Sequence, residues 1–153
     1  MLGIISGAVA GLGTITPASG YVLPWHGMVI GCLAGGICCW ACITLKPKLG
    51  YDDSLDVFGV HGVGGTLGTL LAGVFAVAAV SATPELAGGL PGLFDGNPRQ
   101  VLVQLTGIAA TIAWCGIATF AILKIVDLVT PVRVSLESER MGLDIALHGE
   151  AVQ

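Results

Sequence analysis

A single histidine, His61, stands inside a long apolar run that opens Asp56-Val57-Phe58-Gly59-Val60-His61-Gly62. A neutral imidazole offers one donor and one acceptor, and its titration range lies close to neutral pH. An ionisable group within an apolar helix is costly unless it faces protein or water. It therefore marks either a hydrogen bond to a neighbouring helix or a path for a small polar permeant or a proton. Three acids precede it, Asp52, Asp53 and Asp56. Carboxylates at a helix N-terminus are favoured by capping and by the macrodipole, so Asp56, immediately before the run, reads as the cap, and Ser54 can serve similarly. Asp53 is four residues before Val57 and eight before His61, a spacing that links it to the imidazole's face. Gly65, Gly68 and Ala72 continue that face as a track of small residues, against which another helix packs or along which a narrow conduit is left open. No nucleophile accompanies the acids, so the pattern is not that of an enzyme.

The remaining chemistry-bearing side chains are five cysteines, at 32, 38, 39, 42 and 115, all within apolar runs. Cys39 and Cys42 form a CxxC with Cys38 one turn before Cys42, and together with His61 they outline a soft-metal reading. Thiols in apolar helices otherwise behave as small buried hydrophobes. No second Cys or His cluster completes a ligand set, so neither a metal nor a cofactor is expected.

The elements that must hold these residues are membrane helices. Of 153 residues 54% are hydrophobic and 10% charged, with a mean hydropathy of +0.90. That leaves too little polar surface to cover a soluble core. The net charge of −4 and only six Lys and Arg exclude a nucleic-acid partner. Twenty-four glycines suit close packing of helices in lipid. The expected class is an all-α polytopic membrane protein in contact with lipid. One partial helix is predicted over about 1–16, with a GxxxG at Gly7 and Gly11 and its beginning lying upstream. Full spans are predicted over 27–45, 56–80 and 100–126, since about 20 apolar residues cross a bilayer. A signal peptide is not indicated. Residues 1–130 then form the transmembrane region and 131–153 a polar tail. Lys46 and Lys48 fall in one loop and Arg133 and Arg140 in the tail, so the positive-inside tendency puts the tail on the cytoplasmic side of a multi-pass cell-membrane protein.

The stretch Asp52 to Gly65 (DDSLDVFGVHGVGG), preceded by TITPASGYV at Thr14 to Val22, closely resembles the C-terminal part of the ammonium transporter (Amt/Mep/Rh) superfamily. Glu139-Arg140-Met141-Gly142-Leu143-Asp144 followed by His148-Gly149-Glu150 resembles the family's ERxGLDxxxHGE segment. The resemblance covers essentially the whole chain. It implies a trimer whose subunits each carry a hydrophobic pore built between two inverted repeats. This chain would supply the last helices and the tail. His61 would be the second of the family's twin pore histidines. The first has no counterpart here, because His26 falls in a predicted outer loop and His148 in the tail. Asp53 matches a family acid equivalent to the structural acid of the first repeat. Phe58 and Trp25 read as packing or interfacial anchors.

The resemblance implies passage of ammonium or ammonia, and implies that Gly142, Leu143, Asp144, His148, Gly149 and Glu150 belong to a regulatory tail, in some relatives linked to a PII-type signalling protein. Read from residues alone, those charges are a solvated terminus. Two other readings stand beside transport: a non-conducting regulatory or interaction subunit, and a small metal-handling membrane protein. On the transport reading the chain is a piece of a longer transporter and does not conduct by itself.

Overall fold

A computed structural model describes residues 2–150; Met1, at the start of the first expected helix, and residues 151–153, at the end of the expected tail, lie outside the described residues. Every regular element among the described residues is helical. Helix α1 is Leu2–Ile15 and runs into a 3₁₀ turn at Thr16–Ala18. Helix α2 is Pro24–Leu49 and α3 is Phe58–Phe75. A short α4 spans Ala78–Ser81, α5 spans Arg99–Val129 and α6 spans Leu136–Met141. Three of these, α2, α3 and α5, are long and apolar enough to cross a membrane. Contacts divide the chain into a unit up to Ala110 and a second from Thr111.

In the first unit α1, α2 and α3 pack on one another through small residues. One cluster gathers Ala18, Ile30, Leu71, Ala72 and Phe75, and another Ala10, Cys38 and Val60 with Cys42 against them. Gly64 and Gly68 of α3 allow the approach. A Cβ at Gly64 would lie 2.8 Å from Thr14 Oγ1, and one at Gly68 would collide with the Thr14 carbonyl. The space beside Gly65, expected to share this packing, is open within 4 Å. Glycine pairing at that level therefore runs through 64 and 68, four apart on the buried side of the helix.

Two element ends differ from the expected ones. Lys46-Pro47-Lys48 does not stop α2. A π-turn at Ala41–Leu45 takes up the backbone bonds ahead of Pro47, and the helix continues to Leu49. Gly50, at φ 64°, closes it by donating its N–H to the Lys46 carbonyl. The span expected over 56–80 ends at Phe75. There the carbonyls of Gly73, Val74 and Ala76 accept N–H bonds from Leu93, Phe94 and Gly92 at 2.8–3.1 Å. The Gly- and Pro-rich loop after α4 thus competes for the free carbonyls of a helix C-terminus. A Cβ at Gly92 would sit 2.8 Å from Ala76 N, so only glycine permits this contact.

In the second unit, the tail is locally organised. Ser135 caps α6 by accepting the Ser138 N–H at 3.2 Å, and Arg133 Nε meets Glu139 Oε1 at 2.8 Å. A further π-turn covers Asp144–His148.

Candidate functional site

The helix that carries His61 starts from the loop after α2. Both carboxylate oxygens of Asp53 accept backbone N–H groups, Oδ1 from Val57 at 2.9 Å and Oδ2 from Phe58 at 2.8 Å. Asp53 is therefore the cap of α3, satisfying two of its otherwise unpaired donors. Burial alone would raise its pKa, but the Phe58 and Val57 N–H bonds and the Lys46 charge outweigh burial and hold it below its ordinary value. Asp56, expected to be the cap, instead accepts from Lys46 Nζ at 2.7 Å. Its backbone turns through φ 56°, a left-handed conformation that Asp tolerates better than most residues.

The first turn of α3 is a π-turn, Phe58–Gly62, that closes with Val63 N–H on the Phe58 carbonyl. This insertion changes the phase of the helix, so the expected column of acid above imidazole does not form. Asp53 precedes the helix, with its oxygens committed to backbone. The Phe58 ring covers Gly62, where a Cβ would lie 2.9 Å from it. Tyr51 meets Phe58 edge-on, centroids 5.3 Å apart. Burial, then the Asp53 charge, raises the Tyr51 pKa.

The His61 side chain is exposed and makes no hydrogen bond among the described residues. Its near neighbour is the backbone of α1: a Cβ at Gly13 would lie 3.8 Å from Nδ1. Neither the donor nor the acceptor capacity of the ring is used by the described residues. His26, expected in a loop, lies in the first turn of α2. It is 4% exposed, Nδ1 accepts the Leu23 N–H at 3.2 Å, and the ring stacks on Phe75 at 5.0 Å. It is a structural histidine, buried on its own contacts.

A cavity of about 320 Å³ lies among α1, α2 and the start of α3, lined by Gly7, Ala10, Gly35, Cys38, Cys42 and Asp56 among others. His61 does not line it. Cys38 is buried and Cys42 half-buried, whereas Cys32, Cys39 and Cys115 are exposed. Among the described residues no three His, Cys, Asp or Glu side chains group as a metal site. In the tail, Gly142 at φ 93° and Gly149 at φ 67° occupy turns that favour glycine, and Glu150 N–H returns to the Asp144 carbonyl at 3.1 Å. Leu143, Asp144 and His148 are exposed.

Sequence reasoning read Lys46 only as an orienting charge and Thr14 only as the start of a motif, and overlooked Gly13 altogether. Lys46 lies ten positions from Asp56, a separation that no local pattern reads. Gly13 and Thr14 act from another helix.

The family profile described as the Ammonium Transporter Family matches residues 1–153. The chain is 47% identical over 150 residues to an ammonium transporter of Bacillus subtilis, covering 98% of this chain and 36% of that protein. It is 49% identical to an ammonium transporter of Aquifex aeolicus, covering 98% of this chain and 34% of that one. The crystal structure of Saccharomyces cerevisiae Mep2 superposes with a TM-score of 0.76 at 38% identity, covering 86% of this chain and 30% of that chain. The chain thus spans about a third of the length of these relatives.

Proposed function

We propose, since the chain belongs to the ammonium transporter family, that it forms part of a membrane pore for ammonium or ammonia and that His61 lines that pore. The chain is a multi-pass membrane protein. The observation that carries the reading is the exposed His61 imidazole, on an apolar span, with no hydrogen bond to the described residues. Such a ring supplies a donor and an acceptor to a permeant that has shed its water. Low polarity penalises charge on both permeant and imidazole, so each favours its neutral form in the span, and a proton is handed over rather than carried through dry surroundings.

On this reading further helices, of the kind that the longer relatives have room for, face His61 and complete the conduit with a second imidazole. Asp53 and Asp56 act as structural acids at the pore's mouth, Asp53 by capping and Asp56 through Lys46. Gly68 serves helix packing; Gly65, open on this chain, packs against one of those further helices. Residues 1–130 form the membrane region and 131–153 the tail. The Lys46 end of α2 and the tail face the cytoplasm. Gly142, Leu143, Asp144, His148, Gly149 and Glu150 shape a regulatory surface, in a homotrimer whose activity a PII-type protein modulates. Ammonium flux through the intact membrane protein with and without His61→Ala tests the central point. Altered flux or selectivity is expected; identical values for both would return His61 to a packing role.

A further inference from the structure

The two π-turns of the first unit lie against each other. Ala41–Leu45 belongs to α2 and Phe58–Gly62 to α3. At their contact a Cβ on Gly59 would lie 2.5 Å from Cys42 Sγ and 3.3 Å from Cys42 N. One turn away the Cys38 thiol faces the Val60 carbonyl at 4.0 Å. Each π-turn is a departure from regular helix, and such insertions persist where surrounding contacts hold them.

Lys46 touches both. Its backbone N–H bonds the Ala41 carbonyl and so closes the π-turn of α2. Its ammonium bonds the Asp56 carboxylate at 2.7 Å, both side chains about one-third exposed at 28% and 38%. Asp56 in turn stands two residues ahead of the second π-turn, and its carbonyl accepts the N–H of Val60 within that turn at 2.9 Å. The left-handed backbone at Asp56 sets the direction in which α3 leaves the loop. His61 follows within the same five-residue turn.

We propose that Lys46 is a positioning residue for His61: through its ion pair with Asp56 it clasps the two π-turns in one register and thereby fixes where the imidazole points. This rests on the pore reading only for its functional meaning, since the geometry concerns the ring's orientation. Among the described residues no hydrogen bond holds the ring itself. Its direction is inherited from the backbone of a π-turn, and that backbone is anchored just ahead of its start by Asp56.

The test uses the intact membrane protein in lipid, labelled with ¹⁵N-histidine, and reads the ring resonances of His61 and His26 by solid-state NMR. Lys46→Met and Asp56→Asn are each expected to displace the His61 signals and leave those of His26 in place, because His26 sits at the far end of α2 on its own contacts. Asn tolerates the left-handed backbone, so Asp56→Asn removes the charge without imposing a new strain. Lys46→Arg should restore the wild-type His61 signals. The double variant should shift them no further than either single one. His61 signals unmoved by Lys46→Met, or additive shifts in the double variant, would overturn the clasp. Should Lys46→Met not fold, Lys46→Gln decides by the same criteria. Flux unaltered by His61→Ala, together with His61 signals displaced by Lys46→Met, would refute the pore and leave the positioning role standing.

Discussion

Gly64, Gly65 and Gly68 stand on one short stretch of α3, and alanine at each should rank them by what the added methyl meets. At Gly65 it meets nothing within 4 Å. In the 153-residue chain by itself, with no further helix against Gly65, the change should stabilise by about 0.8–1.0 kcal/mol, the helix preference of Ala over Gly. At Gly68 it meets the Thr14 carbonyl, backbone that cannot turn aside, and Thr14 is 0% exposed. Overpacking of this kind costs about 1–3 kcal/mol. Gly64→Ala falls between them, because its obstacles are Thr14 Oγ1 at 2.8 Å and Cys38 Sγ at 3.3 Å, both side-chain ends that rotate. Gly65→Ala and Gly68→Ala should then differ by about 2–4 kcal/mol, or roughly 30- to 800-fold in the unfolding equilibrium. Helix loss followed by circular dichroism in mixed micelles, as the denaturing detergent fraction rises, measures the order. Equal midpoints for the three variants, or Gly68→Ala more stable than Gly65→Ala, would refute the proposed α1–α3 contact.

The Asp53 carboxyl is held below its ordinary value of 3.8. Its folded pKa is depressed, so its contribution to stability is present above that value and fades as the pH falls through the lower folded one. An acid titration of the wild type should lose stability in that window, and Asp53→Asn should flatten it; parallel curves would exclude the cap. Ile30, 0% exposed, should cost about 2–5 kcal/mol on replacement by Ala, toward the low end because lipid lessens the transfer term and leaves the cavity term. Micelle unfolding midpoints check it. Ser135→Ala removes the Ser138 N–H acceptor of α6 and should cost about 1 kcal/mol. Faster proteolysis in the tail, with the spans untouched, is the expected sign.

The sequence by itself determined the class of fold, because composition and run length report directly on the solvent that a helix can tolerate. The four apolar runs, the polar tail and the isolated imidazole were all legible, as was the family through DVFGVHG. Tertiary structure alone decided which acid caps and which pairs. By sequence Asp56, next to the apolar run, is the expected cap, yet Asp53 takes that place and Asp56 pairs with Lys46 on a different helix, ten residues away. It also decided the glycine face. A regular helix from Asp53 onward would have put Gly65 and Gly68 together, but a five-residue π-turn shifts the phase and brings Gly64 and Gly68 against Thr14. The end of α3 at Phe75 has the same origin, since its carbonyls are claimed by a loop some twenty residues on. Periodicity reports a helix's own geometry, whereas insertions, caps and breaks depend on backbone groups supplied from elsewhere in the chain.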